Sequence, residues 1–239
     1  MKKLVCAAAL IAFQAAAAGA ADFSLSVGGG GIIGGSFTRY SLEASGVLTI
    51  KAEQIVDQLD YGAFAFLDAT YVTLGLFFQN GAYDFSQPVE NLGFMSGEGR
   101  GWERVLGISL LGKWPFALGS RFAVFPLVGI DYLVSLDQRR EDSFGRVYDR
   151  AKTLENGQSF ELSDWDQFHI RIGAGAEYGL GQSLFIRGDL LYGIRLMTRY
   201  ETKNLDYMKE MTGDDKPRLG GLSSGPSLRL AIGWRFFAP

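Results

Sequence analysis

Cysteine is nearly absent. The 239-residue chain holds one, Cys6, inside its N-terminal apolar segment. One thiol closes no intrachain disulfide and builds no thiolate metal cluster, so both are excluded once that segment is removed. Histidine is as scarce, with His169 alone, and no metal-ligand cluster or bound cofactor is expected. Basic and acidic residues almost balance, 23 against 26, and no basic stripe marks the chain for nucleic acid. Beyond the N-terminus no apolar run approaches the roughly 18 residues that a membrane-crossing helix needs.

The N-terminus reads MKK and then LVCAAALIAFQAAAAGA, a basic start and an apolar run ending in small residues. That is the layout of a secretory signal peptide. Residues 1–21 are therefore expected to be removed, and residues 22–239 to form one domain. Cys6 has no apolar run before it and is no lipoprotein acceptor.

Thirty-two glycines, 13% aromatics and strict alternation describe the remainder as β structure. In QFHIRIGAGAEYGLGQSLFIRGDLLYGIRL, residues 167–196, every second position is apolar: Phe168, Ile170, Ile172, then Leu184, Ile186, Leu190 and Ile194. The same period occurs around Leu25, Phe64, Leu74, Ile108, Val128 and Leu230, giving eight candidate strands. Short turns at DAT, KWPFALGS and GLGQ alternate with connections of roughly 20 polar residues or more, a length uncommon within compact soluble domains. A transmembrane barrel places short turns on one side and long loops on the other. The expected fold is all-β: an eight-stranded antiparallel transmembrane up-and-down barrel, with four long extracellular loops and short periplasmic turns. SGVLTIKAEQIVD in the first connection suits either an extended hairpin or a short helix.

A soluble lipocalin-like barrel would carry the opposite polarity, with grease inside and charge outside. Here the polar positions combine Gly, Ala and Ser with Arg, Asp and Glu, which suits a crowded interior. The bulky apolar positions keep aromatics near strand ends, as headgroup belts do. Trp102, Trp114, Phe122, Trp165, Tyr178, Trp234 and Phe236 are the expected interface residues. The lumen is expected to receive Asp131, His169, Arg171, Glu177, Arg187, Asp189, Arg195, Arg229 and Arg235. Glu177 should lie opposite or diagonal to Arg187. Buried arginines need carboxylates, so a ladder of ion pairs should plug the barrel. The sharper alternative is that five arginines facing three acids leave positive charge to attract anions. Phe77, Phe125, Leu127, Leu133 and Leu191 are expected to line the upper lumen.

The signal-like start, the eight alternating strands, the long loops and the final LRLAIGWRFF resemble small bacterial outer-membrane barrels: the OmpA membrane domain, OmpX, OmpW and the opacity proteins. The resemblance covers the whole of 22–239 and is architectural, without a diagnostic motif. It implies residence in the outer membrane of a diderm bacterium, contact with its lipids, assembly through the C-terminal strand by the barrel-assembly machinery, and a monomer. Ala238 and Pro239 after the terminal aromatics depart from the usual ending. An OmpW-like, porin-like barrel would pass small, in part hydrophobic, solutes. An opacity-like one would be an adhesin, or a structural barrel, presenting loops 137–165 and 199–222 to a host ligand.

A catalytic reading has little to stand on. His169 could be grouped with Ser163 and Glu177, but no HxS pattern surrounds it, and GGGGIIGG opens no phosphate-binding helix. The expectation is a protein without enzymatic activity.

Overall fold

A computed structural model describes residues 24–45, 49–87, 89–90, 97–143, 147–149, 162–196 and 198–237. The expected signal peptide, most of the third loop and the two final residues lie outside them. Eight long strands carry the fold: β1 (Leu25–Ser45), β2 (Thr49–Ala69), β3 (Val72–Gln87), β4 (Gly97–Lys113), β5 (Phe122–Asp142), β6 (Gln167–Gly179), β7 (Leu184–Arg195) and β8 (Arg218–Phe237). Each pairs antiparallel with its sequence neighbour, and β8 pairs with β1, so the sheet closes on itself. Closure pairs the edges that an open sheet would leave exposed, the condition for strands to sit in hydrocarbon.

Alternation sets the two faces. Ile33, Leu76, Ile108, Val128, Ile172, Leu190, Leu230 and Ile232 are all exposed on the outer wall, whereas Arg187, Asp189, Asp131 and Arg229 are buried inside. A soluble lipocalin-like barrel would show the reverse. At the turn end Trp114, Phe116, Phe122, Tyr178, Trp234 and Phe236 point outward, and Trp102 does so toward the loop end. Among the described residues, no helix is long and apolar enough to cross a membrane.

The connections differ in construction. β1 and β2 stay paired from Leu25↔Ala69 to Ser45↔Thr49, so the first long connection is a protruding hairpin with only residues 46–48 between its strands. After β7 comes a helix, α1 (Arg199–Thr212), opened by a capping box between Thr198 and Glu201 and ended by Gly213 at φ 71. Alternation could not forecast it; Thr-x-x-Glu followed by glycine at the far end is the local signal that could have. In β5, Leu136 is left unpaired between Arg104↔Asp137 and Val105↔Ser135. This bulge reverses the parity beyond it and turns Gln138 inward.

The interior is filled by large side chains lying over glycines of adjacent strands. Register partners Phe66 and Gly28, Phe77 and Gly107, Phe125 and Gly175, and Phe185 and Gly233 share this arrangement: a Cβ built on each glycine would run into the ring opposite. Glycine is the residue that admits a ring at such a close approach. The outer-face Gly31 meets nothing closer than the Gly62 carbonyl at 3.9 Å. Gly107→Val should therefore destabilise the barrel by about 1–3 kcal/mol, while Gly31→Val should leave it unchanged or firmer. Urea unfolding of both variants refolded in lipid vesicles measures the contrast.

Candidate functional site

Three tiers of polar groups fill the barrel from the turn end to the loop end. In the first, Arg187 donates through Nε to both oxygens of Asp189 at 2.9 and 3.0 Å, and its Nη1 lies 3.4 Å from Asp68 and 3.8 Å from Glu177. Glu177 is its direct register partner on β6. Lys113 pairs with Asp68 and lies 3.6 Å from Glu177, while Arg235 closes on the other Glu177 oxygen at 3.1 Å. The Arg187 guanidinium also sits 5.0 Å from the Phe66 centroid and 4.9 Å from that of Phe125, so rings separate the cations and share their charge.

In the second tier Asp131 Oδ2 accepts from Arg171 Nε at 2.8 Å and Arg229 Nη2 at 3.0 Å, and Arg229 also reaches Ser109 Oγ at 3.2 Å. Around these tiers pack two apolar clusters, one holding Phe64, Phe66, Phe77, Leu133 and Phe185, the other Leu111, Phe125, Leu127 and Leu191. Of the five apolar residues expected to line an upper lumen, only Leu133 borders the cavity above; the others belong to the packed clusters. Phe77, Phe125, Phe185, Leu111, Leu127, Leu191, Asp131 and Asp189 are fully buried, so these side chains pack the lower and middle lumen closely.

The third tier is a cup. A polar cavity of about 90 Å³ opens above Leu133, Val105 and Arg171. Its roof is α1: Glu201 Oε1 accepts from Arg195 Nη2 at 2.6 Å while Oε2 caps Thr198 N at 2.5 Å, and Lys203 binds Asp164 at 2.5 Å. Outside the barrel wall, Asp214 accepts N–H from Ser45 at 2.7 Å and from Lys216 at 2.9 Å. These two donors hold its carboxyl below the ordinary carboxylate range and tie the hairpin tip to the segment after α1. Within the cup His169 Nε2 meets Gln167 Oε1 at 3.0 Å. Gln58 Nε2 donates to Asp60 Oδ1 at 2.6 Å and to Glu103 Oε1 at 2.5 Å, and Gln138 donates to Glu103 Oε2 at 2.9 Å.

All nine residues assigned to the lumen thus lie on the inner face, spread over three tiers. The surplus of positive charge weighed as the sharper alternative is absent among the described residues. Among the described residues, alternation overlooked four inward carboxylates, Asp60, Asp68, Glu103 and Glu201, against two further inward cations, Lys113 and Arg140. Asp68 falls in the turn sequence DAT and Glu201 in the long connection 199–222, where alternation assigns no inner face. Trp165 also departs from expectation: it belongs to a short turn at 162–165 and lines the cup, because that turn folds inward beneath α1. His169 and Glu177 are eight residues apart on one strand, about 26 Å at strand rise, and Glu177 is engaged with Lys113, Arg187 and Arg235. The sequence trio of His169, Ser163 and Glu177 is not assembled.

An apolar outer wall rimmed by aromatics around a charged, self-neutralising interior defines an eight-stranded transmembrane β-barrel. No family model and no curated protein matches the chain. Among solved structures it is similar to the outer membrane protein OprG from Pseudomonas aeruginosa, at 12% identity over 90% of this chain and 96% of that one, with a TM-score of 0.43. It is also similar to Neisserial surface protein A, at 10% identity over 87% and 99%, TM-score 0.37, and to the outer membrane protease OmpT from Escherichia coli, at 6% over 90% and 97%, TM-score 0.39.

Asp131→Asn would leave two buried guanidiniums facing a neutral amide. It should cost about 3–5 kcal/mol of stability, whereas Glu43→Gln, which removes a half-exposed pair with Lys51 at 3.8 Å, should cost less than about 1 kcal/mol. Denaturant midpoints of the refolded variants check the difference.

Proposed function

We propose that the protein resides in the outer membrane of a diderm bacterium and acts as an OmpW-like passage for small solutes, with the cup as its entrance and the wall beside it as its exit. The observation that carries this reading is a lapse in the wall. The β1–β8 ladder runs to Gly34↔Ser227, skips Gly35, Ser36, Gly225 and Pro226, and resumes at Phe37↔Ser224. Pro226 has no N–H to give. These same residues border the cup. The seam is closed by contact, since a Cβ on Gly225 would strike the Gly35 carbonyl, yet those four residues add no pairing across it.

A straight route through the barrel would have to cross the two closely packed lower tiers. On the outer side of the seam Ile33, Phe37 and Leu228 are exposed and apolar, so a solute leaving there enters hydrocarbon, which suits molecules with an apolar part. The loop end faces outward in this reading, and the start of β1 and the end of β8 lie at the periplasmic turns. Outer-membrane lipids surround the wall, β8 with Trp234 and Phe236 is the segment offered to the assembly machinery, and the unit is a monomer. No catalytic role is included. The adhesin alternative draws less support, because α1 uses Glu201 and Lys203 to hold the barrel mouth.

Thr38 and Ser223 are inward register partners just above the seam, with hydroxyl oxygens 2.7 Å apart. A Thr38→Cys/Ser223→Cys disulfide should staple the wall there. Cells producing the protein should admit N-phenyl-1-naphthylamine faster than cells without it. The stapled form should lose that gain and recover it on reduction. Equal entry through the stapled and reduced forms would contradict the side exit.

A further inference from the structure

We infer that the floor of the cup binds a small uncharged solute through a primary carboxamide, held between Gln79 and Arg171. Gln79 stands on β3 between its register partners, the bare backbone of Gly62 and the side chain of Val105. It is 5% exposed and borders the cavity. Among the described residues its amide has no hydrogen-bond partner. Three other glutamines of the cup are engaged: Gln58 with Asp60 and Glu103, Gln138 with Glu103, and Gln167 with His169. A buried amide is costly until its polar atoms find partners. Gln79 thus offers a carbonyl acceptor and an NH₂ donor to the occupant of the cavity.

Arg171 supplies the second contact. Its Nε is spent on Asp131 Oδ2 at 2.8 Å, whereas neither terminal nitrogen has a partner among the described residues. Nη1 lies over Gly193, where a Cβ would come within 2.1 Å of it. Arg171 is 7% exposed and borders the same cavity as Gln79.

These two groups select the ligand together. The guanidinium N–H groups need an oxygen acceptor, and the Gln79 carbonyl needs an N–H. Charge decides what carries them. The carboxylates of Asp60 and Glu103 border the cup against an anion, and the guanidiniums of Arg171 and Arg195 against a cation. Each already has partners in the wall, so nothing is left over to neutralise an ion. A carboxamide brings a carbonyl oxygen and an NH₂ on one planar group without net charge. Val105 and Leu133, both buried, give a short alkyl chain an apolar floor. At roughly 10–15 Å³ for each water-sized occupant, the cavity of about 90 Å³ holds about six heavy atoms. This deepens the reading of the cup as an entrance by naming its solute class, and it does not depend on the side exit.

The test is titration of n-butyramide into the refolded protein in lipid nanodiscs, followed by saturation-transfer NMR against empty nanodiscs. Saturable binding is expected. N,N-dimethylacetamide has the same formula and no N–H, and should bind weaker by about tenfold or more. Butyrate and n-butylammonium should lose at least as much. Gln79→Leu should weaken butyramide binding by about tenfold in barrels that keep heat-modifiable gel migration. No saturable binding of butyramide overturns the assignment, as does equal binding of its isomer or of either ion, or unchanged affinity in folded Gln79→Leu. The comparison of ligands uses the unaltered protein, so it decides the question even where the variant does not fold. The readout is binding and not passage: failure of the staple to stop dye entry leaves this site standing, and failure here leaves the side exit standing.

Discussion

Hydrocarbon offers no hydrogen bonds, and that constraint organises this barrel. Backbone groups must be paired within the wall, which the closed ladder achieves over nearly its whole length. Charged side chains must turn inward and neutralise one another where they meet. The second requirement is severe in a cylinder of eight strands, whose interior is only as wide as its own side chains. Arg187, with Asp189, Asp68 and Glu177 around it and the rings of Phe66 and Phe125 beside it, shows how the two are reconciled. Arg187, Arg229 and Arg235 each meet both a carboxylate and a ring, and Phe66, Phe77, Phe125 and Phe185 are each admitted by a glycine on an adjacent strand.

Packing the lower lumen in this way confines any ligand chemistry to the loop end. There the packing logic changes from rings over glycines to amides around carboxylates, and the cup sits between the packed tiers and α1. The lapse in the β1–β8 ladder falls at that same height. The polar cavity and the weak seam are two consequences of one stretch of sequence, Gly34–Gly35–Ser36 against Gly225–Pro226–Ser227. Small residues and a proline remove both side-chain bulk and a backbone donor.

Strand number, closure and the polarity of the faces were legible because a period of two survives any tertiary context, and so was the pairing of Glu177 with Arg187, fixed by a short turn. What was not legible depended on local breaks in that period. The bulge at Leu136 shifts Gln138 into the cup without any sequence mark. Asp60 and Glu103 lie on strand stretches where alternation is less regular, and Asp68 lies in the turn sequence DAT, so only three of the interior acids stand out in the sequence beside the five arginines. The helix over the mouth is signalled by Thr198, Glu201 and Gly213, a capping pattern that strand alternation does not register.

The central claim is that β8 turns its even positions to lipid and its odd positions to a packed, charged interior. Single nitroxide labels at residues 228 through 235 of the protein in vesicles, read by collision with oxygen and with a water-soluble nickel chelate, test it most directly. The account predicts that oxygen collisions alternate with a period of two, high at 228, 230, 232 and 234 and low at 229, 231 and 233, with little nickel contact at either set. Strong nickel contact at 229 and 231, with oxygen collisions suppressed at 230 and 232, would mean that water bathes the arginine face, and would contradict it.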